Sequence, residues 1–149
     1  MAAGAWTVYN EAKKKIGNST LNLAGTVFRM SLFQSTSNAA TLTLSIFNEV
    51  TNEVADGNGY STSGKAMTGE VWTVGRSATE YKFDADDSVW TATGGAINAI
   101  KFAVIWVSAA ASANRFLLCR STLTTTQFNL STGNTMTVQE HANGILLLV

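Results

Sequence analysis

From residue 26 onward the apolar side chains recur at every second position in short runs, and that alternation is the spacing of a β-strand. TVFRMSLF, residues 26 to 33, puts Phe28, Met30 and Leu32 on one face and Val27, Arg29, Ser31 and Phe33 on the other, which predicts a half-buried strand. Further strands are expected at KAMTGEVWTV, ATEYKFDA, INAIKFAVIWVS, RFLLCRS, QFNL, NTMTVQE and ILLLV. Ala103 to Val107, AVIWV, is apolar on both faces and reads as a central strand. The chain has no proline, so every turn relies on Gly, Asn, Asp or Ser. Short strands separated by such clusters predict a mostly β protein, an antiparallel β-sandwich or jelly-roll-like fold.

Two stretches depart from period two. Trp6, Tyr9, Ala12 and Ile16 recur at three- and four-residue steps, which predicts a short N-terminal helix with Thr7 near its start and Gly17 at its stop. Lys13, Lys14 and Lys15 then suit the negative end of the helix dipole, a reading favoured over nucleic-acid contact in a neutral chain. Residues 42 to 54, LTLSIFNEVTNEV, fit a helical stripe through Leu44, Phe47, Val50 and Val54 and a strand through Leu42, Leu44 and Ile46. A second short helix or helical turn starting near Thr43 is expected there. With 149 residues, no repeat and no linker, the chain is expected to form one domain over 1–149 with a short arm at 1–5.

Only 13% of the residues are charged, against a typical share of about 25%. The surface is therefore covered largely by Ser, Thr, Asn and Gly, whose burial costs far less than that of unpaired ions. Ten basic and ten acidic residues cancel. No overall field draws the chain to phosphate backbones or acidic membranes, so neither nucleic acid nor membrane is an expected partner. The start lacks the apolar core of a secretory signal, and no apolar run is long enough to span a bilayer, so a soluble protein made in a cytoplasm is expected. ILLLV at the end is expected to tuck into a sheet as a last strand.

Few residues offer chemistry. GYSTSGKA, residues 59 to 66, nearly spells a phosphate-binding loop, with Gly59, Gly64 and Lys65 correctly spaced but Ala66 where a magnesium-holding hydroxyl belongs. An acidic, turn-rich stretch precedes it and a strand-like one follows, so the turn reading is preferred. His141 is the single histidine, in HANG, and reads as a loop residue beside the final turn. Cys119 is the single cysteine, which leaves no internal disulfide and no cysteine partner for zinc; it reads as a buried apolar residue. Asp84, Asp86 and Asp87 are carboxylates of the kind calcium takes, but the spaced calcium loop is missing and a turn after Tyr81 and Phe83 is preferred. Trp72, Trp90 and Trp106 suit a sugar-stacking surface or a core, with core favoured. No catalytic, cofactor-binding or metal-ligating residue is assigned, and no enzyme activity is expected.

The order of features is more specific than any one of them. YNEAKKKI is followed by TVFRMSLF, then by an EV shortly before GNGYSTSGK, then by YKFDADDSVW and IKFAVIWV. This order resembles the small virion structural proteins of tailed bacteriophages, most of all capsid decoration, or cement, proteins. The resemblance runs over residues 6 to 107, with the final GILLLV in keeping. It is carried chiefly by Gly57 to Tyr60 leading to Gly64 and Lys65, and by Phe83 to Asp87 leading to Trp90. The chain departs where relatives carry two glycines before the lysine and here Ser63 precedes Gly64, and where they carry an acidic first hairpin and here LNLAG stands. The resemblance implies a β-sandwich with no catalytic residues, located on the virion, that binds the head shell and stabilises it. The implied partners are the major capsid protein and other copies of the same chain, with Met1 to Ala5, Ser35 to Ala40 and Ser108 to Asn114 as candidate contact segments. The alternative within the resemblance is a fibre, spike or tail component that binds a glycan.

Overall fold

The computed structural model describes residues 4–140 and 144–148. Its centre is the run that is apolar on both faces. β8 (Phe102–Val107) lies between β2 (Phe28–Phe33) and β9 (Leu117–Thr122) in a five-stranded sheet, with β1 (Thr7–Val8) outside β9 and β3 (Lys65–Ala66) outside β2. A second sheet has the order β12 (Leu146–Leu148), β5 (Tyr81–Asp84), β4 (Val71–Val74). Two-stranded ribbons join β6 (Ser88–Thr91) to β11 (Thr135–Val138) and β7 (Ile97–Ile100) to β10 (Phe128–Leu130). All these pairings are antiparallel. Each sheet gives side chains to one buried cluster that runs from Tyr9 to Ile145, so the chain is a mostly β, sandwich-like protein with a single α-helix among the described residues.

Several expected elements are redrawn by tertiary contacts. The helix, α1 (Asn10–Gly17), starts later than its apolar spacing suggests, because Thr7 and Val8 pair instead with Arg120 and Cys119 on the free edge of β9. Tyr9 and Ala12 face the core as expected. Glu11 forms ion pairs with the exposed Lys14 and with the half-buried Lys15, whose ammonium also lies 4.0 Å from the Phe116 ring centre. The second helix reduces to one 3₁₀ turn, Phe47–Glu49. Its neighbours make long-range bonds instead: Phe47 N–H to the Arg115 carbonyl at 2.8 Å and Leu117 N–H to the Ser45 carbonyl at 3.1 Å.

Two expected strands are each divided between sheets. KAMTGEVWTV becomes β3 and β4, separated at Gly69, which has φ +67° and lies against the Asp86 carboxylate. INAIKFAVIWVS becomes β7 and β8, separated at Lys101, with Ala99 at φ +61° where the pairing of β7 with β10 shifts register. A continuous strand cannot change sheets without such a break. β2, expected to be half-buried, is buried on both faces from Met30 to Phe33. Its Ser31 is tolerated there because its hydroxyl accepts the Trp106 indole N–H at 2.9 Å.

The outer edge of β2 shows how the near-phosphate-loop segment is used. β3 pairs with Arg29 and Met30 only. Beyond them the Leu32 carbonyl accepts Val54 N–H at 2.9 Å, and Leu32 N–H is donated at 3.0 Å to the hydroxyl of Tyr60. That hydroxyl donates in turn to Glu53 Oε1 at 2.6 Å, which also accepts Ser63 N–H at 2.7 Å. Arg29 donates from Nε and Nη2 to the carbonyls of Ser63 and Gly64 at 2.9 and 2.8 Å. Burial raises the Glu53 carboxyl above the usual carboxylate range and pushes the Tyr60 phenol well up, so a neutral phenol donates along this chain.

Tyr60→Phe leaves Leu32 N–H without an acceptor and takes from Glu53 its phenol donor, leaving it Ser63 N–H. The expected loss is about 2 kcal/mol of unfolding free energy, read from urea titrations. Gly64→Ala, which places a methyl 1.9 Å from the Met30 carbonyl oxygen at φ +62°, is expected to cost more than Tyr60→Phe.

Candidate interaction site

The three-stranded sheet reaches beyond the core that supports it. Cross-strand partners share a face, and the register places Trp72, Phe83 and Leu146 in one row and Val74, Tyr81 and Leu148 in the next row on the same face. All six are apolar or aromatic. The first row packs inward: Phe83 is fully buried and its ring lies 5.1 Å from that of Phe28. The second row is open among the described residues, with Val74 49%, Tyr81 46% and Leu148 60% exposed. Trp72 spans the two rows, stacked on Tyr81 at 6.3 Å between ring centroids.

Beside this face lies a groove of about 630 Å³, walled by Val8, Ile16, Leu21, Leu23, Trp72 and Leu146, with Lys13, Ser19 and Asn22 as its polar lining. Helix α1 and the loop after it form one wall, and the sheet forms the other. Such a volume suits a few side chains of a partner or one small ligand. The open row carries no charge, and the groove is mostly apolar, with Lys13 as the one charged side chain among its described lining residues.

The residues singled out from sequence are placed elsewhere and are mostly structural. Gly59 approaches the Thr91 carbonyl so closely that a Cβ would lie 2.0 Å from its oxygen, and Gly64 stacks on β2. Lys65 opens a strand, not a helix, and donates from Nζ to the Val89 carbonyl at 2.7 Å. The turn reading therefore stands. Trp90 and Trp106 are core residues, Trp106 stacked 4.0 Å from Phe47, and only Trp72 reaches the open face. Cys119 is fully buried, which pushes its thiol up. His141 lies outside the described residues, as do Met1 to Ala3 of the arm. Gly4 accepts the Ser121 hydroxyl at 2.8 Å along β9. The Ser35 to Ala40 loop is held by Asn38, which bonds Glu49 and Thr51, and by the Tyr9 hydroxyl donating to the Ala39 carbonyl. In the other candidate segment, Ala110 to Asn114 are exposed.

The aspartate cluster is taken up by local contacts. Asp84 pairs with Lys82, Asp86 accepts the Thr68 hydroxyl at 3.0 Å, and Asp87 accepts Glu140 N–H at 3.0 Å. Among the described residues no group of three or more His, Cys, Asp or Glu is arranged to hold a metal ion. Glu140 itself was not anticipated from sequence. Burial first, and the charges of Asp84 and Asp87 after it, push its carboxyl up to about 8. Neither of its oxygens, nor the Trp6 indole N–H, has a hydrogen-bond partner of good geometry among the described residues.

Comparisons with protein-family models, curated proteins and solved structures return no match for this chain.

Because the folded protein holds Glu140 protonated while the unfolded chain ionises near 4.5, stability is expected to fall as pH rises from that value to about 8 and to level off above it. Glu140→Gln removes that slope. The expected gain at pH 8.5 is on the order of a few kcal/mol relative to the parent, shrinking to nothing near pH 4, measured by urea unfolding across pH.

Proposed function

We propose that this chain is a structural protein of a tailed-phage virion, a capsid decoration protein that docks on the assembled head shell and reinforces it. The observation that carries the reading is the row Val74, Tyr81 and Leu148, an apolar strip left open at one end of a sheet in a molecule with few charges. The order of sequence motifs shared with decoration proteins supports the same conclusion. Docking of this kind works by burial. Apolar area contributes about 25 cal/mol per Å², association entropy offsets part of it, and repetition over a lattice strengthens individually modest contacts. The partner in this reading is the major capsid protein, and the place of work is the capsid exterior.

A second reading, a glycan-binding fibre or spike module, is favoured by one observation: Trp72 and Tyr81 present stacked rings at the surface beside the groove. A glycan array separates the two, since saturable binding lost in Trp72→Ala supports the sugar platform.

Cosedimentation with purified head shells tests the first reading. The parent chain is expected to pellet with shells in stoichiometric amounts, and Tyr81→Lys with Leu148→Lys to weaken that binding about tenfold or more, the equivalent of about 1.4 kcal/mol. Shells that bind no more of the parent chain than of the double variant reject the reading.

A further inference from the structure

We propose that β4 is a self-complementary edge through which two copies of this chain pair, antiparallel, about a two-fold axis at Thr73. Among the described residues β4 is the last strand of its sheet, bonded to β5 on one side only. The hairpin fixes which groups remain open. Gly75 N–H bonds the Glu80 carbonyl at 2.7 Å, and antiparallel alternation then turns the peptide groups of Val71 and Thr73 toward β5 and those of Trp72 and Val74 outward. The strand is VWTV, with none of the lysines, prolines or bulges that keep exposed edges from pairing.

Charge sets the register. Glu70 stands immediately before β4 and Arg76 one residue past Gly75. An antiparallel pair centred on Thr73 brings Glu70 opposite the second copy's Arg76 at both ends. In the same register Trp72 faces Val74 twice, as hydrogen-bonded pairs that use all four outward peptide groups, and Thr73 faces its own counterpart. Aromatic–β-branched, Thr–Thr and opposite-charge pairs are the favourable cross-strand combinations. A shift of two residues either way separates the charges. Each charge retains its present contact on one side, Arg76 through Nε and Nη2 to Glu80 and Glu70 through Oε1 to Phe28 N–H. The other edges of the five- and three-stranded sheets match less well: β1 and β3 have two residues each, β3 carries Lys65, and β12 has no charged side chain to set a register.

Pairing at this edge leaves the open faces free and joins them into one six-stranded surface, with the row Val74, Tyr81 and Leu148 contributed twice. The proposal concerns the purified chain alone and stands or falls apart from capsid binding.

Single-cysteine crosslinking tests it, because the native Cys119 is fully buried and silent. Opposite residues of a non-hydrogen-bonded antiparallel pair have Cβ atoms about 5 Å apart, close to disulfide reach. With oxidised glutathione, Thr73→Cys is therefore expected to run as a dithiothreitol-sensitive dimer. Val71→Cys, exposed on the same strand, would sit about 13 Å from its counterpart and is expected to stay monomeric. A second arm uses sedimentation velocity: Glu70→Arg and Arg76→Glu each lose the dimer, and their equimolar mixture regains it because both cross-strand pairs are restored. Failure of Thr73→Cys to crosslink, or crosslinking of Val71→Cys to the same extent, overturns the proposal, and so does dimerisation of both charge variants at the parent level. If either charge variant fails to fold, the cysteine pair decides alone.

Discussion

The architecture depends on what closes the outer edge of β2. That strand lies beside the central β8, and its side chains fill the core from both faces, so its unpaired peptide groups could not be left to water without opening the core. A two-residue strand covers the first half, and the second half is closed by Val54 and by the Tyr60 hydroxyl standing in for a carbonyl. Glu53 and Arg29 then hold the intervening turn at four donor–acceptor contacts short enough to fix its shape. A buried network of this kind is stabilising only when each member is satisfied, which is why a carboxylate, a phenol and a guanidinium occur together here. The segment with the spacing of a phosphate cradle is thus occupied in finishing a sheet.

With the central sheet closed, the remaining strands can be placed as small outlying pieces. Gly69, at positive φ, and Lys101 are the points where one run of sequence leaves one sheet for another, and Asp86 fills the space against Gly69. The β4–β5–β12 sheet is anchored at one end by Phe83 against Phe28 and stands free at the other. Its apolar inner face therefore passes continuously from core to surface. In a molecule with so few charges nothing repels a neighbour from that strip, and the shell-docking reading draws on that fact, whereas the pairing at β4 draws on the free peptide groups of its edge.

Much of the strand content was legible because period two is a local property: Phe28, Met30 and Leu32 are buried together, and AVIWV is the centre of its sheet. Trp90 and Trp106 read as core for equally local reasons, whereas the turn expected at the aspartates is absent: Asp84 ends β5, and Ala85 to Asp87 link it to β6 without a turn. What escaped was every feature that needs a second segment to be defined. Thr7 and Val8 carry a helical spacing but are taken by the edge of β9, and residues 42 to 54 exchange helical bonds for contacts with Arg115 and Leu117. Glu140 carries no signal at all in QEHANG, since its burial is imposed by Trp6, Asp84 and Asp87 from distant parts of the chain.

By itself the sequence determined that the chain would be built from short antiparallel strands with Gly, Asn and Ser turns, with a neutral, hydroxyl-rich exterior and one short helix. Side-chain alternation and turn chemistry are written residue by residue, and they needed no partner to be read. Only the tertiary structure decided where strands change sheets, which apolar row stays uncovered, and which edge keeps its peptide groups free. Those depend on which segments compete for the same hydrogen bonds and the same buried area, and that competition is settled only when the whole chain has packed.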